Sequence, residues 1–421
     1  MRKSIIISDV PGLPARRAAL KLLDAVLRRG QPLEAALAAA TRGIDNAADR
    51  ALAHAIASEA LRRLPDLDAL IDSATRNRLA DDAKARMVIR IALVQALCLG
   101  TAEHAAVATA LPLVEGGPRR LVHGVLGTLL RRKAILPIEP TLPGDLVARW
   151  TQQWGADMLA VAATALGKPP PLDLTLKDPE TTAEWVARLD GESLAAGHVR
   201  IARGRAIPEL AGFSEGAWWV QNMAASVPAR LLGAGEGRAV LDLCAAPGGK
   251  TMQLASAGWQ VTAVDQDRAK LVRLSDNLHR TSLKAQIVQA DIMNWAPPAA
   301  VPAILLDAPC SATGIFARHP DVLHRVRARD IAALAQIQAA MIARVADWLT
   351  PGGTLIYATC SLERAEGEAQ IAAAQAAGLR LVGPGAAPVI GDIVPGADGA
   401  IRIFPANHAD GFFVARFERD A

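Results

Sequence analysis

The chain has 421 residues, of which 51% are hydrophobic and 21% are charged, and its formal net charge is +4. This composition excludes a globally disordered chain and predicts two or three domains with sizeable cores. Residues 1–140 hold 21 lysines and arginines against 14 acidic residues, so the basic excess is concentrated there. That excess favours a polyanionic partner, although ordinary solvated helix faces would produce the same surplus.

The first third of the chain has the pattern of a helical domain. Between Pro14, suited to begin a helix, and Gly30, suited to end one, leucines recur at helical spacing on one face. The same periodicity predicts further helices around residues 48–64, 66–79, 80–99, 104–113 and 119–133. We therefore predict an all-helical domain over residues 10–138.

A proline-containing linker follows this helical region, with prolines at positions 137, 140 and 143. Residues 144–166 have a helical pattern again, and we expect Trp150 and Trp154 to anchor a core there. After a run of three prolines at 169–171, short strand-like and helix-like pieces alternate. We interpret residues 144–235 as a linker and a small subdomain.

From residue 236 to the end, strands, loops and helices alternate, which predicts a mostly parallel sheet covered on both faces. The strand candidates are Ala239–Leu243, Gln260–Val264, Gln286–Gln289, Ala303–Leu306 and Thr354–Ala358. A final pair, Ile401–Phe404 and Gly411–Phe417, predicts a hairpin at a sheet edge.

Two of the four cysteines follow the fourth and fifth predicted strands of this sheet. Cys310 lies in Asp307-Ala308-Pro309-Cys310, and Cys360 lies in Ala358-Thr359-Cys360-Ser361. Ligands of an open α/β sheet bind at the carboxyl ends of its strands, so thiols placed there suggest covalent chemistry. Cys98 lies in an apolar run and fits a core, and the spacing of the four cysteines predicts no metal site.

The first predicted strand leads into a loop of small residues, Cys244-Ala245-Ala246-Pro247-Gly248-Gly249-Lys250-Thr251. Small residues let backbone N–H groups approach a ligand at the start of the next helix. The dinucleotide pattern GxGxxG is absent, and a P-loop would need glycine where Cys244 stands.

Acidic residues follow the next two predicted strands. Asp265 ends the second strand, where a carboxylate is placed to bind ribose hydroxyls, and Asp291 follows the third strand, where it suits an adenine edge. Each acid alone would also suit a helix cap. Together with the loop after the first strand, they favour an adenosyl cofactor without phosphates, and S-adenosylmethionine fits better than NAD or ATP.

Three strings of the chain resemble the RNA 5-methylcytosine methyltransferases of the Nop2/NSUN/Sun class. They are the loop at 244–251, the segment Asp307–Gly314 and the segment Ala358–Ser361, and they occur in the order of that class. The resemblance extends over about residues 205–418. The helical region before it resembles the fold of the NusB antitermination factor. That combination is the arrangement of the RsmB/Sun family of bacterial small-subunit rRNA cytosine-C5 methyltransferases.

The resemblance implies a multidomain protein with an N-terminal all-α NusB-like helical domain that binds RNA. An α/β Rossmann-like S-adenosylmethionine-dependent methyltransferase domain would follow at residues 236–421, with residues 144–235 as an RNA-positioning link. The implied cofactor is S-adenosyl-L-methionine, and the implied partner is RNA, foremost small-subunit (16S) rRNA.

The resemblance also implies a role for individual residues. The nucleophile falls on Cys360, the cysteine that assists elimination or acts as base falls on Cys310, and Asp307 would contact cytosine N3. Lys250 would stabilise negative charge or serve the structure. The implied cofactor contacts are Cys244, Ala245, Ala246, Pro247, Gly248, Gly249, Lys250, Asp265, Asp291 and Asp307.

The chain departs from the pattern of the class at three places. Asn222 stands where aspartate is usual, and Asp173-Leu174-Thr175 lacks the usual Arg-x-Asn sequence. Glu366-Gly367-Glu368 replaces Glu-Asn-Glu after the implied nucleophile. These departures bear on RNA contacts and fine geometry.

The implied reaction requires a thiolate, because cytosine C5 attacks a methyl group only after a nucleophile adds to C6. The target base must also leave any stack to reach the thiol. A set of basic residues after the Cys310 loop would hold RNA phosphates or form a solvated helix face: Arg318, His319, Arg325, Arg327 and Arg329.

Two alternatives stay open from the sequence: the same chemistry on tRNA, and a non-catalytic RNA-binding factor in ribosome assembly. The apolar run near the N-terminus, Ile5–Ile7, is too short for a signal peptide, and no uncharged run has membrane-spanning length. We therefore expect a cytoplasmic monomer with no membrane or metal partner.

Overall fold

The computed structural model describes residues 11–384, 396 and 399–420. The segment Ile5–Ile7, on which the signal-peptide argument depends, lies outside the described residues. The chain divides into two compact units, residues 1–169 with 316–326, and residues 170–315 with 327–421. Among the described residues, no helix combines the length and hydropathy needed to span a membrane.

Helices and strands are numbered here in chain order. The helices are α1 Leu13–Leu27, α2 Leu33–Ala40, α3 Ala47–Arg62, α4 Leu64–Ser73, α5 Lys84–Leu97, α6 Glu103–Ala110, α7 Gly116–Arg131, α8 Gly144–Trp154, α9 Ala156–Gly167, α10 Thr182–Leu189, α11 Met223–Arg230, α12 Gly249–Ser256, α13 Arg268–Thr281, α14 Val322–Arg325, α15 Ala328–Ala346 and α16 Ala369–Ala376. The strands are β1 Leu172–Leu176, β2 His198–Ile201, β3 Trp218–Val220, β4 Ala239–Leu243, β5 Gln260–Asp265, β6 Gln286–Gln289, β7 Val301–Asp307, β8 Leu349–Thr359, β9 Leu379–Val382, β10 Ile401–Ile403 and β11 Phe412–Arg419.

The predicted helices of the first unit are present, with two differences. The alanine-rich helix α2 was not predicted. The helical pattern of residues 144–166 forms two helices rather than one, because Gly155 between them has φ +82°. A residue with positive φ does not continue a right-handed helix, and glycine adopts that conformation without steric cost.

The core of the helical unit forms around α5, which is buried along nearly its whole length. The leucines predicted to share one face of α1 divide unevenly: Leu23 is fully buried and packs in this core, whereas Leu20 and Leu27 are only partly buried against it. Trp150 is fully buried, as expected, and its ring packs against Phe316 at 5.7 Å between centroids.

Residues 316–326 follow the Cys310 loop in the chain but belong to the helical unit. The guanidinium of Arg62 donates to the carbonyl of Ala317 at 3.0 Å, and the His324 ring bonds the carbonyl of Leu61 at 2.7 Å. Arg325, one of the basic residues considered for phosphate binding, pairs with Asp321 at 2.9 Å. Arg329 is 88% exposed in its side chain and stays available to solvent.

The second unit begins with a small antiparallel sheet in the order β2-β1-β3. Its core contains Leu174, Trp185 and Trp218. The boundary at Pro169 and Pro170 lies inside the segment 144–235, so that segment is divided: α8 and α9 belong to the helical unit, and the small sheet belongs to the second unit.

The main sheet has the order β10-β11-β8-β7-β4-β5-β6, with β9 paired to β11. The strands β8, β7, β4, β5 and β6 are parallel, and β11 joins them antiparallel, which confirms the predicted α/β Rossmann-like fold. Apolar clusters cover both faces of the sheet, with α15 and α16 in one cluster and α11 and α12 in the other. Strand β9 was not predicted.

The strand order reverses at β4, because β5 lies on one side of it and β7 lies on the other. Such a reversal leaves a crevice at the carboxyl ends of the strands, where ligands of this fold class bind. The loops that follow β4, β7 and β8 all open at that edge.

Candidate functional site

The three loops at this edge carry the cysteines singled out in the sequence. Cys244 follows β4, Cys310 follows β7 by three residues, and Cys360 follows β8. The neighbouring parallel pairs of β7 with β4 and with β8 hold the three strand ends side by side. The backbone N–H of Gly314 also donates to the carbonyl of Cys360 at 2.9 Å, which ties the second loop to the third.

The two cysteines after β7 and β8 form a thiol pair. The Sγ atoms of Cys310 and Cys360 are 3.5 Å apart, and both side chains are free cysteines. The hydrogen bond with Cys360 and burial raise the pKa of the Cys310 thiol well above its ordinary value. Cys310 is therefore a neutral thiol near neutral pH, able to donate a hydrogen bond to Cys360.

An ion pair lies next to these thiols. Lys250 Nζ, on the first turn of α12, is 2.7 Å from Asp307 Oδ2 at the end of β7. Burial lowers the pKa of Lys250, but the Asp307 carboxylate outweighs burial and raises that pKa overall. Lys250 is thus a cation at neutral pH and fixes the orientation of the Asp307 carboxylate.

A cavity of about 270 Å³ opens beside the thiols and Asp307. Seven of the predicted site residues line it: Cys244, Ala246, Asp265, Asp291, Asp307, Cys310 and Cys360. It therefore brings together both thiols and all three predicted acids. The other predicted residues, which are Ala245, Pro247, Gly248, Gly249 and Lys250, support the loop around it rather than line it.

The two predicted cofactor acids bind backbone groups in addition to lining the cavity. Asp265 accepts from the N–H of Ala246 at 3.1 Å and from the N–H of Asp267 at 2.9 Å. Asp291 accepts from the N–H of Met293 at 2.9 Å. Backbone N–H groups thus orient both carboxylates. Each acid lies at the predicted strand end and also caps the backbone that follows it.

The loop after β4 has the unusual backbone that its small residues predict. Cys244 has φ +58°, and Gly248 has φ +104° at the start of α12. A Cβ on Gly248 would lie 3.0 Å from the side chain of Leu274, so glycine suits both the conformation and the space. Burial raises the pKa of the Cys244 thiol strongly, which fits a packing role for this side chain.

Several lining residues were missed by sequence reasoning: Gln266, Lys270, Ala290, Ile292, Ala308, Pro309, Ala312 and Met341. Gln266 and Ile292 directly follow predicted acids, so their position in the chain was an available signal. Met341 lies on α15, and only the packing of that helix on the sheet places it at the cavity.

Asp242, which does not line the cavity, was also missing from the predicted site. It is fully buried on β4, and burial raises the pKa of its carboxyl to about 7. Thr251 donates a hydrogen bond to Oδ2, whereas Oδ1 has no hydrogen-bond partner among the described residues. The Asp242 carboxyl group, which is partly protonated at neutral pH, therefore joins β4 to Thr251 on α12.

The departures at Asn222 and Asp173 are structurally linked. Asn222 Nδ2 donates to Asp173 Oδ2 at 3.0 Å, and Arg200 binds the same carboxylate at 2.7 Å. Despite burial, the hydrogen-bonded Arg200 guanidinium and the His198 ring, 3.4 Å from the carboxylate, hold the pKa of Asp173 far below its usual range. Aspartate at position 222 would place two carboxylates in contact, so asparagine fits the aspartate at position 173.

The departure at Gly367 makes room for Arg402. A Cβ on Gly367 would lie 2.2 Å from Arg402 Nη2 and 2.9 Å from the ring of Phe413. Arg402 pairs with Glu368 at 2.7 Å and donates to the carbonyl of Ser361, next to Cys360. The glycine thus permits an arginine to hold the backbone after the thiol.

The lining fits S-adenosylmethionine. Asp265 and Asp291 offer carboxylates for hydroxyl and amino groups, and Ile292 and Met341 offer apolar surface. The thiols and Asp307 at the other part of the lining leave a polar, chemically reactive side for a second molecule. Among the described residues, no cluster of histidine, cysteine or acidic side chains has the arrangement of a metal site.

Comparison with known proteins identifies relatives for both parts of the chain. The family model described as 16S rRNA methyltransferase RsmB/F matches residues 229–418, and the NusB family model matches residues 13–131. Ribosomal RNA small subunit methyltransferase B of Klebsiella pneumoniae is 33% identical over 432 residues, covering 95% of this chain and 97% of its own. The protein of the same name from Xylella fastidiosa (strain Temecula1) is 33% identical and covers 97% of this chain and 99% of its own.

Solved structures show the same fold. NSun6 from Pyrococcus horikoshii, solved with the S-adenosylmethionine analogue SFG, has a TM-score of 0.60 at 19% identity, covering 66% of this chain and 98% of its own. A methyltransferase homolog protein from the same organism has a TM-score of 0.56 at 25% identity, covering 70% of this chain and 98% of its own.

Proposed function

This chain belongs to the 16S rRNA methyltransferase RsmB/F family, whose cofactor is S-adenosylmethionine, and we propose that it forms 5-methylcytidine in small-subunit rRNA. The observation that carries the proposal is the thiol pair Cys310 and Cys360, 3.5 Å apart, beside a cavity that Asp307 also lines. A methyltransferase that acts on an already nucleophilic atom needs neither thiol. Activation of a ring carbon needs a nucleophile at that place.

The chain's own residues would hold the cofactor at the carboxyl ends of β4, β5 and β6. Asp265 and Asp291 bind its polar groups, and the backbone from Cys244 to Gly249 surrounds the start of α12. When bound, the cofactor supplies an electrophilic methyl group on a sulfonium.

In the first step that we propose, the Cys360 thiolate adds to C6 of a cytosine turned out of its stack. The electron pair of the C5–C6 bond then resides at C5, which would accept the methyl group as the methyl–sulfur bond breaks and leaves its electron pair on sulfur. N3 of the ring takes up a proton from solvent as addition proceeds and returns it when the ring re-forms, and the Asp307 carboxylate, oriented by Lys250, accepts the hydrogen bond from N3–H and so favours addition. Because the Lys250 cation holds it, the Asp307 carboxylate keeps one orientation towards the ring.

Cys310 serves the release step. After methylation, a base removes the C5 proton, the C5–C6 double bond re-forms and the Cys360 thiolate leaves with the electron pair of the C6–S bond. The largest cause of the raised pKa of Cys310 is the free Cys360 thiol. Once Cys360 is bonded to C6, that cause is gone, so Cys310 ionises more readily when the base is needed.

The helical unit supplies a surface for RNA. Arg119 and Arg120 at the start of α7, and Arg131, Arg132 and Lys133 at its end, are exposed. Clustered cations of this kind bind phosphates and make affinity dependent on salt. The match to the NusB family over residues 13–131 supports an RNA-binding role for this unit.

The test is transfer of labelled methyl groups from S-adenosylmethionine to deproteinised small-subunit rRNA, intact small subunits and bulk tRNA. Wild type is compared with Cys360→Ala and with a matched control, Cys98→Ala, whose partly buried side chain packs against the core of the helical unit. We expect label at cytosine C5 of rRNA with wild type and Cys98→Ala only.

The other outcomes discriminate among the alternatives. Label only in tRNA would overturn the substrate and keep the chemistry. Full activity of Cys360→Ala would overturn the assignment of the nucleophile. Absence of label from every substrate would favour a non-catalytic role in ribosome assembly.

A further inference from the structure

Glu366 is a fully buried carboxylate that lies between the two cysteine loops. Its Oε1 accepts from the backbone N–H of Ser311 at 2.8 Å and from Gln338 Nε2 at 3.1 Å. Its Oε2 accepts from the hydroxyls of Ser311 and Ser361. Ser311 directly follows Cys310, and Ser361 directly follows Cys360, so one carboxylate joins the neighbours of both thiols.

The main chain of Glu366 is held as firmly as its side chain. Its carbonyl accepts from the hydroxyl of Tyr357 at 2.8 Å and from Thr359 Oγ1 at 3.2 Å, both on β8. Gln338 on α15 also donates to the carbonyl of Pro309 at 2.8 Å, next to Cys310. The carboxylate is therefore a fixed point to which both loops are attached.

The chemistry of this contact is unusual for a residue that only fills a core. A buried carboxylate is costly unless hydrogen bonds satisfy it, and the Glu366 carboxylate accepts four hydrogen bonds from neutral groups. Hydrogen bonds to an ionised acceptor are short and strong, which restricts the positions of the donors. Apolar packing of the same volume would hold the loops together without fixing their spacing so closely.

We propose that Glu366 is a positioning residue that sets the distance between the Cys310 and Cys360 thiols and thereby controls release of the methylated base. The inference depends on the function proposed above, because release requires Cys310 to reach the C5 proton while Cys360 holds C6. A carboxylate that joins Ser311 to Ser361 keeps the two sulfur atoms within 3.5 Å. The negative charge of Glu366 also favours the protonated form of Cys310 before the reaction begins.

Loss of this link should slow release more than addition. Addition and methyl transfer depend on Cys360, Asp307 and the cofactor, and no hydrogen bond among the described residues joins Glu366 to Cys360 or Asp307. In Glu366→Ala the Cys310 loop loses its bonds to the carboxylate, and in Ser311→Ala it loses one of them, while the backbone bond from Gly314 to Cys360 remains. The methylated RNA then stays bonded to Cys360.

The experiment measures covalent protein–RNA adduct and turnover together, with small-subunit rRNA and labelled S-adenosylmethionine. For Glu366→Ala and Ser311→Ala we expect turnover to fall about 10-fold or more, since misplacing a proton-transfer group removes part of its 10²–10⁴-fold effect. A labelled adduct resistant to denaturing detergent should accumulate, while cofactor affinity stays within about twofold of wild type. The adduct should be absent when Cys360→Ala is added.

Two further variants separate positioning from general stability. Glu366→Gln spans the same distance, and the serine hydroxyls are free to turn and accept from its amide, so it should recover most of the turnover lost in Glu366→Ala. Gln370→Ala removes a buried amide on the same segment that bonds Ala335 and Ala365 rather than the cysteine loops. That variant should lower the melting temperature without accumulating adduct.

The outcomes distinguish failure of this inference from failure of the function. If Cys310→Ala traps an adduct but neither Glu366→Ala nor Ser311→Ala does, the positioning role is overturned and the function stands. If Glu366→Gln loses as much turnover as Glu366→Ala, the inference that this side chain sets the distance between the two thiols is overturned. If wild type transfers no methyl group and Cys310→Ala traps nothing, the proposed function itself fails.

Discussion

The helical unit and the catalytic unit both bury charged side chains, but the charges face different surroundings. In the helical unit, Arg86 and Arg90 are almost wholly buried and pair with Asp72 and Asp68 at 2.6 Å and 2.8 Å. Each pair joins α4 to α5, and the members on each helix are four residues apart, one turn along the helix. The guanidinium groups are enclosed by helix packing, whereas the side chains of Asp68 and Asp72 stay 22% and 32% exposed.

In the catalytic unit, the pair of Lys250 with Asp307 is equally short, and the Asp307 side chain is 30% exposed, about as much as that of Asp72, but Asp307 lines the cavity. An acid at the open end of a strand meets whatever enters the cavity. The acids of α4 instead pair with arginines, and Asp72 binds Arg78 as well as Arg86. Exposure and pairing alone therefore do not mark a functional charge, whereas access from a cavity does.

The largest expected effect is a loss of methyl-transfer activity when the ion pair of Lys250 with Asp307 is broken. Lys250→Met leaves the Asp307 carboxylate without its cation, and we expect the catalytic rate constant to fall about 100-fold, as for loss of a positioned proton-transfer group. The methyl-transfer assay with rRNA measures it. Lys284→Met, at an exposed position, is the control and should match wild type. Equal activity of both variants would place the Lys250 pair with the structural charges of the helical unit.

The second prediction concerns stability of the helical unit. Asp68→Ala leaves the buried guanidinium of Arg90 without its carboxylate, and we expect a loss of about 3 kcal/mol in the free energy of unfolding. The control is Asp24→Ala, which breaks an exposed pair with Arg28 and should cost at most about 1 kcal/mol. Denaturant unfolding of both variants measures the difference, and equal losses would contradict the distinction between enclosed and exposed pairs.

The third prediction tests the glycine beside the thiol loop. Gly367→Ala forces Arg402 away from the new Cβ, and overpacking of this kind costs about 1–3 kcal/mol. Thermal unfolding should show the loss. Gly383→Ala is the matched control, because none of the described residues lies within 4 Å of a Cβ there. A Gly367→Ala protein as stable as Gly383→Ala would show that Arg402 moves without cost.

The smallest effect is the pH dependence that Asp242 produces. Its folded pKa of about 7 lies above the unfolded value, so the folded state keeps a proton that the unfolded state has lost. This contribution to the free energy of unfolding is present at low pH and is lost as pH rises towards 7, by about 1 kcal/mol between pH 5 and pH 6. Asp242→Asn should lack that decline in denaturant unfolding at the two pH values. Identical slopes for the two proteins would contradict the raised pKa.

Much of the fold followed from local pattern. The predicted strands match β4 to β8 within a few residues, because apolar runs bounded by loops are a local property of a parallel sheet. Helix α2 and strand β9 were not predicted, because a short alanine-rich helix and a short strand show little hydrophobic periodicity. The sequence also did not predict that residues 316–326 belong to the helical unit, because only long-range contacts such as that of Arg62 with Ala317 place them there.

The sequence by itself determined which groups follow which strands: small residues after β4, acids after β5 and β6, and one thiol each after β7 and β8. The tertiary structure alone decided how far apart they lie. The contact of Cys310 with Cys360 spans 50 residues, and the bond from Ser311 to Glu366 spans 55. Such contacts depend on strand order and on register across the sheet, which no local pattern specifies, and they turn two separate cysteines into one pair.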